Sequence, residues 1–347
     1  MNQDHIIRQK IMIFMFILSG ILLKNPVLSY SNIFLTSLFT ILFGVLFSTL
    51  YYSIFISPKK LKSAFVKFVF TLIACTIAVI ACAVYLFDFT LSVSYINDYY
   101  NSLLFMVALA LVVIACACFA AYSGYRTISM LCGILVWVVP LFVFATYFSF
   151  IEAGYREPVK LLFSFPLKSK FVFDSFKSAL FLFSDISVLL YLMYSSKSVT
   201  NPKDFKKVYI TGISIAIFFL LAETIKCNFL FGTDFLLVIK EPNLAATRLI
   251  PGLNVPEIFT VNLSCALLIK LSVYLSAANA LIKKYFVRKA KTGPIILLGI
   301  ATFLLFTFLL HFLPREFTTQ NDFFLLILSV LTIFFPILSY INARCHK

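Results

Sequence analysis

The chain has 347 residues, of which 62% are hydrophobic and 12% charged, with a formal net charge of +15. At a mean hydropathy of +1.01, a soluble domain of this length could not hide its apolar surface in one core, so a soluble globular class is excluded and membrane residence is predicted. The basic excess is sorted by loop, which speaks for membrane orientation and anionic lipid contact rather than for a nucleic-acid partner.

In chain order, the sequence predicts an all-α integral membrane protein with about ten apolar segments, each near the roughly 17–25 residues that cross a bilayer as a helix. They fall near 11–29, 32–56, 66–87, 102–122, 128–151, 175–194, 208–231, 257–282, 295–313 and 323–342. No extended soluble domain is left over, so 1–347 reads as a single polytopic membrane domain. The first segment has no small-residue cleavage site before the next span and reads as a span rather than a signal peptide. The short clusters Lys59–Lys67, Lys197–Lys207 and Lys283–Lys291 alternate with less basic loops and place both termini in the cytoplasm. The loop holding Arg156, Lys160, Lys168, Lys170 and Lys177 is expected outside despite its charge.

The segments divide into two halves of five spans, a first repeat of about 11–151 and a second of about 175–342. Span one is interrupted by Ser19-Gly20 and closes on Lys24-Asn25-Pro26, and span six is interrupted by Ser184-Asp185-Ile186-Ser187. Each is the first span of its half, the position at which inverted-repeat transporters unwind a helix around substrate. Against this, Gly20 also suits close helix packing, and the serine hydroxyls also suit bonding to the preceding turn.

Asp185 reads as the one acidic residue in the middle of a long apolar stretch, 179–194. A carboxylate at membrane depth needs a partner, a polar cavity or a ligand path. Three readings stay open: contact with a ligand or cation, a buried charge pair with Lys270 in span eight, or a protonated, neutral Asp185. Glu223 and Lys226, three residues apart in span seven, read as a pair along one helix face. Trp137, Pro140 and Pro336 read as packing and kink residues. The eight cysteines and three histidines show no zinc-ligand spacing. No metal, cofactor or catalytic set is predicted, and the chain is not expected to be an enzyme.

From residue 179 to residue 286 the chain resembles the B subunit of the spore germinant receptors, a branch of the amino acid permease superfamily. The apolar span with its polar interruption comes first, then Asn201-Pro202-Lys203-Asp204-Phe205-Lys206-Lys207. Phe231-Gly232 follows, and then Glu241-Pro242-Asn243-Leu244, Arg248-Leu249-Ile250-Pro251-Gly252 and Val255-Pro256-Glu257-Ile258-Phe259. Tyr122-Ser123-Gly124-Tyr125-Arg126 is similar as well. The chain departs from the family in lacking a Gly-Val-Gly type signal in span one, and it has Ser187 where the family often carries a glutamate.

The resemblance implies a ten-span bundle of the leucine-transporter and amino acid–polyamine–organocation type, a 5+5 inverted repeat. It also implies residence in the inner membrane of a spore, with the receptor's A and C subunits as partners. The implied function is to sense a small nutrient, typically an amino acid, and trigger germination. An active amino acid or cation-coupled transporter is the alternative. The ligand-binding set is then Ser19 and Gly20 on span one, with Phe183, Ser184, Asp185 and Ser187 on span six. Backbone N–H groups at a half-helix start would meet the ligand carboxylate, and an acidic side chain or carbonyl ends would meet its ammonium.

Overall fold

The computed structural model describes residues 3–24, 38, 41–46, 49, 64–94, 102–149, 179, 183, 185–196, 202–236, 245–246, 256–285 and 292–312. Within these the chain is almost wholly helical. Eight helices carry the bundle: α1 Gln3–Lys24, α2 Ala64–Ser94, α3 Leu103–Ser123, α4 Tyr125–Ala145, α5 Ile186–Ser195, α6 Pro202–Leu236, α7 Pro256–Tyr285 and α8 Gly293–Phe312. A 3-10 turn over Thr146–Ser149 follows α4. Helix is the form these segments must take, because lipid offers no partner to an unpaired backbone N–H or carbonyl.

Among the described residues, seven helices are long and apolar enough to cross a membrane: Asp4–Leu23, Thr71–Ser94, Leu103–Ser123, Tyr125–Ala145, Phe205–Cys227, Phe259–Lys283 and Gly293–Phe312. The protein is thus an all-α chain of membrane type. The expected spans over 32–56 and 323–342, and the first part of the span over 175–194, lie largely or wholly outside the described residues.

Helix α7 is the hub. It packs against α1, α2, α3, α4, α5 and α8, while α1 packs against α4, α5, α6 and α7. Burial follows this order: α7, α1 and α2 are mostly enclosed, whereas α3, α4 and α8 bury only one face. Their outer faces present Leu104, Leu111, Phe119, Ile134, Trp137, Leu141, Leu297, Leu304 and Phe308, the side chains expected against lipid tails. Trp137 therefore points outward rather than into the packing, and Pro140 sits buried inside an α4 that continues past it.

Two expectations change. Span one is not interrupted, because α1 runs unbroken through Ser19 and Gly20. The Ser19 hydroxyl donates to the Met15 carbonyl at 2.6 Å, so the helix absorbs the polar group and keeps its backbone N–H groups engaged. Span three does not end near residue 87. It continues as α2 to Ser94, with Thr90 and Ser94 donating their hydroxyls to Phe87 and Leu91 carbonyls at 2.9 and 2.7 Å. That extension carries Asp88 into the bundle, where it is buried, so Asp185 is not alone among acidic residues at depth.

Candidate functional site: a buried charge centre on four helices

A turn at Asp185 opens α5, and the Asp185 carbonyl accepts the Val188 N–H at 3.0 Å. The carboxylate therefore sits beside the start of a helix of 10 residues, the end at which the backbone N–H groups point outward. It is fully buried. Lys270 of α7 places Nζ 3.0 Å from Oδ2. One turn further along α7, the Tyr274 hydroxyl donates to Oδ1 at 2.6 Å. From α2, the Tyr85 hydroxyl donates to Oδ2.

The sequence places Lys270 and Tyr274 four apart, so both project from one face of α7 toward the start of α5. The two tyrosine rings lie 6.1 Å apart, tilted by 53°. The other flank of Lys270 is closed by α1, whose Phe16 ring centroid is 3.8 Å from Nζ. The Tyr85 ring centroid is 5.8 Å from it. Four elements thus converge on one neutral, water-excluded pair: a carboxylate with three donors, and an ammonium held between that carboxylate and aromatic faces.

Such a pair adds little net stability, because desolvation of both charges offsets most of their attraction. What it supplies is position: two opposite full charges held in a fixed geometry, in a medium where a rearrangement of either is energetically large. Phe183 and Ser187 are buried beside it in the sequence, and Phe183 packs against Gly44 of the second apolar segment. Ser184 lies outside the described residues. Helix α1 reaches the centre through Phe16, about one turn before Ser19 and Gly20.

A second buried pair lies on α6. Glu223 Oε2 and Lys226 Nζ are 2.5 Å apart, and both residues are almost fully enclosed. Lys226 donates to the Thr146 hydroxyl at 2.7 Å, and the Tyr147 ring centroid is 5.4 Å from Nζ. The 3-10 turn after α4 thus closes over the end of this pair. Glu223 Oε1 has no hydrogen-bond partner among the described residues. Phe14 of α1 packs on Phe219, one turn before Glu223 on α6, at 5.1 Å. Helix α1 therefore stands between the two charge pairs, with Phe16 on one and Phe14 toward the other.

Among the described residues no group of three His, Cys, Asp or Glu side chains could hold a metal ion. Asp185 and its partner Lys270 were visible in the sequence; Tyr85 and Tyr274 were not. A tyrosine in an apolar helix carries no signal of its own until its i+4 spacing from a lysine, here 270 to 274, is weighed with it. The chain matches no family model and no curated protein at a significant level.

Proposed function

We propose that this chain is a transporter-like membrane subunit that binds a small nutrient, an amino acid, at the Asp185–Lys270 centre, and that it serves as the B-type subunit of a spore germinant receptor. The observation that carries the binding reading is the pair itself: a fully buried Asp185 carboxylate 3.0 Å from a fully buried Lys270 ammonium. A zwitterion is the small solute that matches both charges without adding net charge to a dry interior. Its ammonium would take the place of Lys270 on Asp185, and its carboxylate would take the place of Asp185 on Lys270. The tyrosine hydroxyls and the start of α5 supply the remaining polar contacts.

The germination role, the A and C partners and the spore inner membrane come from the second-half motifs. The ten spans rest on the apolar segments, the cytoplasmic termini on the alternation of basic loops, and the 5+5 repeat on the order of the spans together with the resemblance. A second reading, a working amino acid or cation-coupled transporter, is favoured by the second buried pair, Glu223–Lys226. A sensor needs one charge centre, whereas a coupled carrier has use for two.

The test is a gene deletion complemented with the parent protein, Asp185→Asn or Lys270→Met, scored as germination of purified spores on single amino acids. Loss of one nutrient response in the deletion, restored by the parent and by neither variant, is expected. A response restored equally by both variants removes the charge centre from ligand recognition. Uptake of labelled amino acid into vesicles that collapses with the ion gradient selects the transporter.

A further inference from the structure

The chain has one tryptophan, and α4 carries it on the face turned away from the bundle, where Trp137 is 79% exposed. At 1.5 Å per residue it lies about 18 Å from the Tyr125 end of α4 and about 12 Å from the Ala145 end. A hydrocarbon core is about 30 Å thick, so the indole sits near its middle. Tryptophans of membrane helices are enriched at the headgroup level instead, where the ring lies in apolar surroundings and the N–H meets water. At mid-depth neither water nor a headgroup reaches the indole N–H, and among the described residues Trp137 makes no hydrogen bond. Lipid tails suit its neighbours on this face but offer the indole no acceptor. A bare donor in hydrocarbon is costly, and membrane helices satisfy such groups on a neighbouring helix.

The same face supplies the matching half of a contact. Met130, Ile134, Trp137 and Leu141 are all exposed and follow one another at steps of four, three and four, the spacing of a seam along which two helices pack side by side. Gly133, one turn before Trp137, has nothing within 4 Å of the place a Cβ would take. Its backbone is therefore uncovered beside the seam, and its carbonyl, with two lone pairs, has room for a second donor besides the one from its own helix. A long side chain on a helix leans toward the helix start, which brings the indole level with Gly133. Copies of one chain share their orientation in the membrane, so two of them meet in parallel about a twofold axis. In that arrangement each indole lies against the uncovered glycine of the other copy. Donor and acceptor belong to one patch of one chain, so the contact closes on itself as a twofold interface requires.

We infer that the outer face of α4 is a homodimer interface inside the membrane, occupied by α4 of a second copy of this chain, with each Trp137 indole N–H donating to the Gly133 carbonyl of the other copy. The seam residues Met130, Ile134 and Leu141 close around these two bonds. The interface lies outside the bundle, on the far side of α4 from its buried residues, and it stands whether or not the Asp185 centre binds a nutrient.

The test is energy transfer between two populations of the full chain, one with a donor and one with an acceptor fluorescent protein at the C-terminus. They are reconstituted together in phosphatidylcholine–phosphatidylglycerol vesicles over a range of protein-to-lipid ratios. Transfer is expected to fall as the protein is diluted in lipid. Trp137→Phe keeps a ring but loses the N–H, and Gly133→Leu fills the space beside the seam. Each is expected to need at least about five-fold more protein per lipid for half-maximal transfer, whereas Leu304→Ala on the outer face of α8 follows the parent. The single tryptophan gives a second readout in untagged protein, since lipid brominated at mid-chain quenches an indole it touches. Trp137 should be shielded at high protein density and quenched on dilution, in step with the loss of transfer. Association that both α4 variants leave unchanged overturns the interface and moves the contact to another face. Trp137 quenched at every density, with no transfer between copies, leaves the indole in lipid and also overturns it. Trp137 shielded in the native membrane with no transfer between copies overturns the second copy in favour of a different protein.

Discussion

Removing Lys270 while keeping its bulk isolates what the ion pair contributes. In Lys270→Met the side-chain volume is nearly kept, but Asp185 is left as a fully buried carboxylate with two tyrosine donors in place of three partners. Breaking one side of a buried pair costs about 3–5 kcal/mol. The Tyr274 bond at 2.6 Å and the Tyr85 bond still share the charge, so we expect the lower part of that range, about 3 kcal/mol. Part of the loss is the contact between the ammonium and the Phe16 ring at 3.8 Å, worth about 1–2 kcal/mol when desolvated. Asp185→Asn strands the ammonium instead and should cost a similar amount.

In the double variant neither charge remains, and the asparagine amide keeps both tyrosines satisfied, so stability should return to within about 1–2 kcal/mol of the parent. The assay is denaturant unfolding in mild detergent, read as midpoint and slope for the parent, both single variants and the double. A coupling of about 4–5 kcal/mol is expected. Strictly additive losses would refute the pair as an energetic unit and with it the argument for a neutral, preorganised centre.

Other outcomes follow from the same geometry. Tyr274→Phe keeps the ring contact with Tyr85 but removes a donor to a carboxylate, and should cost about 1.5–3 kcal/mol in the same unfolding assay. Lys226→Met should cost about 3–5 kcal/mol, since it leaves Glu223 buried with neither oxygen paired among the described residues. Thr146→Val should cost about 1–2 kcal/mol. Gly212→Ala would bring a methyl to 2.8 Å from Ile13 side-chain atoms and 3.1 Å from the Lys10 carbonyl. It should therefore destabilise by about 1–3 kcal/mol by forcing α1 from α6. Gly133→Ala in α4 meets nothing within 4 Å and should stabilise by up to about 1 kcal/mol. Thermal unfolding of the two glycine variants side by side separates crowding from helix propensity.

How far the sequence could be read depends on what each residue announces alone. A carboxylate in an apolar run carries its own signal, so Asp185 stood out, and Lys270 followed as the cation at comparable depth. Glu223 and Lys226 were legible from their i, i+3 spacing, and the structure adds that both are buried and joined by Thr146. Asp88 was missed because the apolar run was closed at residue 87. The hydroxyls of Thr90 and Ser94, satisfied by their own helix, let α2 continue past the polar residue. Ser19-Gly20 misled for the same reason, since a serine that bonds back to residue i−4 reads in sequence as a break and behaves in the helix as filler. Helical, apolar character was plain from composition. Which faces meet was not, because α3 and α8 are apolar nearly all round and their periodicity does not select a side.

The junction at Gly124 bears on how the protein is made. Helix α3 ends at Ser123 and α4 begins at Tyr125, so a single residue at φ 84° joins two lengths of chain that each suffice to cross a bilayer. Its N–H bonds to Ala120 and its carbonyl receives Thr127 and Ile128, so both helices are tied to the same peptide unit. With no slack between them, a translocation channel cannot release α3 into lipid and hold α4 back for a later step. The two are therefore expected to leave as one inserted unit.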